Sequence, residues 1–173
     1  MNMIVNGKKI KNIKIRRAKS SDASELVKVV KQIHRETENL LNTPEEFNVT
    51  VNQEKDFIKS QSLFLVVEVD GKIVGSSTLR KNNIEKLSHT SVFGITILRD
   101  YCNLGIGSKL VEHTISWARE VNIEKIDLEV FENNKPAIRL YKKFGFIVEG
   151  RRNKYIKING EYQDMLLMTK ILS

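Results

Sequence analysis

The chain has one cysteine, two prolines and three histidines among 173 residues, and each scarcity closes off a class of explanation. The lone thiol, Cys102, cannot form an internal disulfide, which agrees with a reducing compartment. No histidine is placed near it to activate it as a nucleophile. His34, His89 and His113 have no neighbours at ligand spacing, so no metal is expected. No apolar run approaches the ~18 residues that cross a bilayer, and the opening MNMIVNGKKIKN is too polar for a secretory signal. The expectation is a cytoplasmic protein without a membrane partner. Repeats, low-complexity tracts and Pro- or Ser-rich linkers are also missing, so a single domain over residues 1–173 is expected, with 1–12 as a candidate N-terminal extension.

What is present is the composition of a soluble globular domain, 40% hydrophobic and 29% charged, long enough to build a core without disulfides. The net charge of +8 is unevenly spread. Lys8, Lys9, Lys11, Lys14, Arg16, Arg17 and Lys19 crowd the start, and Lys135, Arg139, Lys142, Lys143, Arg151, Arg152, Lys154 and Lys157 crowd the last third. Acids gather at Glu36, Glu38, Glu45, Glu46, Glu54 and Asp56. Solvated faces account for such clusters as readily as ligands do; a ligand reading puts an anion near the C-terminal third and a cation near the acidic segment.

Hydrophobic periodicity orders the chain. Residues 13–17 alternate as a half-buried strand, Asp22 with Glu25 spells a capping box, and Leu26, Val29, Val30 and Ile33 follow at helical spacing. Thr50 with Gln53 spells a second capping box, opening a short helix through Ile58. SLFLVVEV and KIVGSSTLRK flank Asp70-Gly71 as a hairpin, and a third strand runs from about Thr90 to Leu98. A helix from Gly105 to about Val121 carries Ile106, Leu110, Val111, Thr114, Ile115 and Ala118 on one face. The strand KIDLEVF, a short helix from about Pro136 to Phe144, and two strands around Asn159-Gly160 complete the series. The fold class expected is α/β, with a mixed, mostly antiparallel sheet around one central βαβ crossover.

Gly105 and Gly107 lie where the third strand gives way to a helix. Unpaired N–H groups at such a junction, backed by the helix dipole, form an anion site that a phosphate can approach closely where side chains are absent. A Walker A loop is excluded, since Gly107-Ser108-Lys109 has the wrong order, and a Rossmann fingerprint lacks its third glycine and its early βαβ unit. Alone, Gly-Ile-Gly also suits a plain tight turn. A second segment, from Asn134 to Phe146, reads Asn-x-x-Ala-x-x-Leu-Tyr-x-Lys-x-Gly-Phe. Together the two segments resemble the GNAT superfamily of N-acetyltransferases, whose first motif is a strand, Arg or Gln, two residues, Gly, one residue, Gly or Ala, then a helix. Cys102 holds the place of the Arg or Gln, which removes a polar side chain that supports the loop.

The resemblance implies a GNAT-like sheet with helices on both faces and acetyl-CoA as acetyl donor. It implies that Cys102, Asn103, Leu104, Gly105, Ile106, Gly107 and Ser108 supply the pyrophosphate loop, and that Ile95, Thr96 and Ile97 pair with the pantetheine arm by strand addition. Asn134 resembles the residue that hydrogen-bonds coenzyme A; Lys143 suits the 3′-phosphate or plain solvation equally. Tyr141 matches the general acid that meets the thiolate, its alternative being a core tyrosine on the stripe of Ala137, Leu140 and Phe144. Glu129, five residues before Asn134, matches the proton acceptor of the ribosomal-protein alanine branch, its alternative being an exposed strand carboxylate. A lysine-like amine near pKa ~10.4 needs about 4 kcal/mol to lose its proton at neutral pH and an α-amino group near ~7.8 only about 1, so a base matters more for the first.

The acceptor implied is a primary amine of a small molecule or of a peptide N-terminus. The acidic stretch HRETENLLNTPEEFNVT favours a cation, whereas GRRNKYIKINGEYQD suits a carboxylate-bearing acceptor. The readings from another class are a non-catalytic acyl-CoA-binding module or a basic ribosome- or RNA-associated factor. Only Tyr155 and Tyr162 stand as aromatics among the basic residues, which argues against nucleic acid. Homodimerisation is common among look-alikes, and nothing in the sequence decides it.

Overall fold

The computed structural model describes residues 4, 5, 7–10 and 12–172. Lys11 of the N-terminal basic group, and residues 1–3 and 6 of the expected extension, lie outside the described residues. The elements are β1 (Ile4–Val5), β2 (Lys8–Lys9), β3 (Ile13–Arg17), α1 (Ala23–Glu36), α2 (Val51–Ser60), β4 (Leu63–Val69), β5 (Lys72–Lys81), β6 (Thr90–Ile97), α3 (Ile106–Glu120), β7 (Lys125–Phe131), α4 (Lys135–Lys143), β8 (Ile147–Ile158) and β9 (Glu161–Ile171). β1 and β2 pair as a small ribbon that the periodicity did not announce. The others follow the hydrogen-bonded order β3-β4-β5-β6-β7-β9-β8. The pairs β3–β4, β4–β5, β7–β9 and β8–β9 are antiparallel, and β6–β7, joined through α3, is parallel. This is the expected mixed, mostly antiparallel α/β sheet.

Two compact units divide the chain: the residues up to Arg80 with Gly94–Thr114, and Lys81–Phe93 with Ile115 onward. In the first, Leu26, Val29 and Ile33 of α1 are buried in one core with Ile58 of α2, Phe64 and Val66 of β4, and Ile73 of β5. Full burial of each such side chain contributes about 1.5–3 kcal/mol, which is what docks the amphipathic α1. Thr50 begins α2 as its sequence foretold: its hydroxyl accepts from the Gln53 N–H at 3.2 Å, and Gln53 Oε1 accepts from the Thr50 N–H at 2.8 Å.

The capping box read at Asp22 and Glu25 is not formed. Asp22 does not cap α1; its carboxylate receives Arg16 Nη1 at 2.7 Å and Nη2 at 2.9 Å, and the Lys19 N–H at 2.7 Å. Charge-assisted bonds to a guanidinium outcompete a neutral cap for the same oxygens. Glu25 instead accepts from the Ile73 N–H at 2.9 Å, tying α1 to the start of β5.

In the second unit β7 pairs with β9 over its whole length, Lys125 opposite Ile171 through Phe131 opposite Met165. Leu128 and Val130 of β7 and Met168 and Leu166 opposite them are buried. β8 is the irregular strand: its register with β9 shifts between Val148 and Gly150 and between Arg152 and Ile156, with Lys154 at φ 50. The Lys154 N–H bonds Asp164 Oδ1 at 2.7 Å. The Asn159-Gly160 turn has the positive φ values, 51 and 86, that its residue types foretold.

Candidate active site

The glycine turn lies in the first unit. β6 ends at Ile97, a 3₁₀ turn covers Arg99–Tyr101, and Cys102 is extended before Asn103 at φ 60 and Gly105 at φ 78. A Cβ at Gly105 would meet nothing within 4 Å, so glycine is needed there for its backbone angle and not for room. α3 then starts at Ile106, and the N–H groups of its first turn have no intrahelical carbonyl to reach. The Arg99 N–H donates to Glu36 Oε2 at 2.8 Å, which anchors the turn to the end of α1. Glu36 is thus a structural anchor, and Glu46 is likewise engaged, accepting from the Thr43 N–H at 2.9 Å. Cys102 Sγ lies 3.6 Å from the Leu98 carbonyl oxygen, and desolvation, with Glu36 nearby, pushes the thiol pKa up. The raised pKa favours the protonated thiol, the poorer nucleophile.

Ile95, Thr96 and Ile97 form the end of β6, each half-buried. Thr96 Oγ1 meets Ser76 Oγ at 3.3 Å. A Cβ at Gly75 of β5 would lie 2.8 Å from the Thr96 carbonyl oxygen, so β5 approaches here only because residue 75 has no side chain.

In the second unit, the β6–β7 register covers Thr90–Val92 against Lys125–Asp127, and Phe93 and Leu128 do not extend it. β7 carries Glu129, whose Oε1 accepts from Arg152 Nη1 at 2.7 Å, both side chains being exposed. Arg152 also lies over the Tyr155 ring. Arg151 pairs with Glu132 and Asp164, and Lys154 and Lys157 lie over Tyr162. The basic stretch from Gly150 to Asp164 therefore has much of its charge engaged internally.

Asn134 is the N-cap of α4, its Oδ1 accepting from the Ala137 N–H at 3.3 Å, with Pro136 in the first turn. That bond uses the oxygen and leaves the amide Nδ2 to donate elsewhere. Lys143 ends the helix, its Nζ 5.6 Å from the centre of the Phe144 ring. Tyr141 is 6% exposed, packed edge-on to Phe93 at 6.3 Å and against Phe146 at 5.8 Å. No described residue hydrogen-bonds its hydroxyl, and burial raises its pKa above the ordinary phenol value. The ring is thus core, as the alternative reading had it, and the hydroxyl has no described partner.

One feature escaped the periodicity. A pocket of about 430 Å³ in the first unit is lined by Phe47, Phe57 and Phe64 together with Ser76, Thr96 and Glu54. Glu54, in the acidic segment whose sequence suits a solvated face or a cation site equally, is only 6% exposed. The signal was available: Glu54 lies one helical turn before Ile58, on the apolar face of α2.

Residues 27–146 match the Acetyltransferase (GNAT) family. The chain is 33% identical to the L-amino acid N-acetyltransferase AaaT of Escherichia coli, over 92% of this chain and 98% of that one. It is 34% identical to an N-alpha-acetyltransferase of Sulfurisphaera tokodaii, over 80% and 83% of the two chains. The crystal structure of a GNAT acetyltransferase from Streptococcus pneumoniae superposes with a TM-score of 0.88 at 29% identity, covering 92% of this chain and 99% of that one. With the family match spanning the glycine turn and reaching Phe146, and relatives aligned over 80% and 92% of the chain in agreement, this chain belongs to the GNAT acetyltransferase family and is an N-acetyltransferase.

Proposed function

We propose that this N-acetyltransferase acts as one domain, in the cytoplasm, moving an acetyl group from acetyl-CoA to a primary amine of a small molecule or a peptide N-terminus. The L-amino acid and N-alpha acetyltransferases to which it is similar support that acceptor range. The observation that carries the assignment of roles is Tyr141, a buried phenol in the family motif with no described partner for its hydroxyl.

The residues fit the donor. The positive φ of Gly105 and the open first turn of α3 offer backbone N–H groups to a pyrophosphate, and no Cβ at Gly105 intrudes on its approach. Residues Cys102 to Ser108 form that cradle, and the end of β6, Ile95 to Ile97, offers backbone to the pantetheine amides. Asn134, with Oδ1 committed to its cap, donates through Nδ2; Lys143 serves the 3′-phosphate. As the amine nitrogen bonds to the acetyl carbon, the carbon–sulfur bond breaks and charge gathers on sulfur. The Tyr141 hydroxyl donates to that sulfur, and the burial that raises its pKa keeps it protonated for the purpose. Glu129 receives the amine proton through water, its second oxygen not being the one bonded to Arg152.

Thiol release from acetyl-CoA, measured against a panel of polyamines, amino acids and peptides with free N-termini, tests the reading. Turnover with at least one amine is expected. Binding of coenzyme A with no turnover for any amine would return the protein to a binding module.

A further inference from the structure

Among the cavity-lining residues Glu54 is out of character. It is only 6% exposed, and no described residue offers its carboxyl group a hydrogen bond or an ion pair. Its neighbours in the pocket are chiefly aromatic and aliphatic: Phe47, Phe57, Phe64 and Val30. Phe57 and Phe64 meet edge to face at 5.9 Å, and Phe47 is stacked on His34 at 4.5 Å, so these rings are held in place. An ionised carboxylate in such a setting is costly unless something cationic joins it. Desolvation accordingly raises its pKa. A fold-building role would be served better by leucine at this position, since Glu54 gives the fold no bond in return.

The same pocket is also lined by hydroxyl-bearing strand. Ser76 and Thr78 of β5 and Thr96 of β6 line it, and Thr96 belongs to the strand end assigned above to the pantetheine arm. Among the described residues no lysine or arginine lines the pocket. A ligand carrying its own carboxylate would therefore bring a second negative charge into an apolar cavity beside Glu54, with nothing to neutralise it.

Resting on the acetyl-transfer reading, we propose that Glu54 is the acceptor-binding carboxylate, taking the ammonium of a primary amine whose apolar substituent fills the Phe47, Phe57 and Phe64 pocket and whose α-carbon bears no free carboxylate. The pocket volume lies in the ~300–1,000 Å³ range of small-ligand sites. The acceptor class is thus an apolar amine or a peptide N-terminus with an apolar first side chain, distinct from a free amino acid.

The test is calorimetric titration at saturating coenzyme A, with L-phenylalaninamide and L-phenylalanine as probes and coenzyme A binding measured first. Wild type should bind the amide about tenfold or more tightly than the acid, and Glu54→Gln should weaken the amide by about tenfold while narrowing the gap to the acid. Glu54→Asp, which keeps the charge, should preserve the preference for the amide. Thermal melting of Glu54→Gln at or above the wild-type temperature shows the fold intact. Equal affinity for acid and amide, no binding of the amide, or an unchanged amide affinity in Glu54→Gln overturns the inference alone if coenzyme A still binds. Failure to bind coenzyme A overturns the donor reading and this inference with it.

Discussion

Replacing Tyr141 by phenylalanine removes one oxygen, and the structure separates what that oxygen does for folding from what it does for catalysis. The ring packs against Phe93 and Phe146, and those contacts survive the change. The hydroxyl has no described hydrogen-bond partner, so its loss leaves no orphaned group behind. Stability should therefore move by no more than about 0.5 kcal/mol, in either direction. Activity should behave differently. A positioned general acid contributes about 10²–10⁴-fold, and a lost donor to a developing charge costs about 3–4 kcal/mol, so kcat should fall by about 10²–10³. KM for acetyl-CoA should change little, because the ring still fills its place. Thiol release at saturating amine, with urea denaturation of the same samples, gives both numbers. The pH profile adds a sign: the protonated phenol is the active form, and burial raises its pKa, so any alkaline loss traceable to Tyr141 should come above pH 10, the ordinary phenol value, and be absent in the variant. A variant with wild-type kcat, or one destabilised by ~2 kcal/mol or more, would refute the reasoning, since the hydroxyl would then be idle or structural.

Three further outcomes follow from local geometry. Gly105→Ala places a Cβ at φ 78 in open space, so it should cost about 1–2 kcal/mol of stability and weaken coenzyme A binding, read by denaturation and calorimetry. Thr50→Ala removes the α2 cap and should cost about 1 kcal/mol in the same denaturation assay, with transfer chemistry intact. Asp22→Asn loses charge-assisted bonds from Arg16 and should cost about 2 kcal/mol at neutral pH. Arg16 bonding holds the folded pKa of Asp22 below the usual 3.8; its contribution is complete above that value and lost as pH falls through the folded one, so denaturation midpoints of wild type and variant should converge below pH 3.8.

Much of this architecture was legible because period and punctuation agree. The helix from Gly105 to Val121 is legible from five apolar positions and Thr114 on one face, and all six are buried in α3. Asp70-Gly71 and Asn159-Gly160 adopt the positive φ their types require. Asp22 was misread because a capping box is a local pattern, whereas its partner Arg16 is fixed by the strand that precedes it and also binds Glu68 across the ladder. The shifts in β8 were invisible for a similar reason: a bulge depends on what the partner strand offers, here the Asp164 carboxylate that receives the Lys154 N–H. Motif positions such as Asn134 could be read as types but not as geometry. That its Oδ1 is spent on the cap, leaving Nδ2, depends on where Ala137 falls in the folded turn.

Glu54 and Tyr141 share a property that a fold alone does not explain. Each is a buried residue whose polar group has no described partner, one on the apolar face of α2 and one on that of α4. Leucine and phenylalanine would spare the desolvation cost at either position. Such departures from local consistency concentrate where function requires them. The two groups also differ in sign. A neutral phenol with a raised pKa is suited to donating to a forming anion, and a carboxylate is suited to receiving a cation. An amine acetyltransferase needs one of each, since its acceptor arrives as an ammonium and its leaving group departs as a thiolate. Removing either group should then cost the fold no more than about 0.5 kcal/mol while disabling a different half of the reaction: acceptor binding for Glu54→Gln, and the chemical step for Tyr141→Phe.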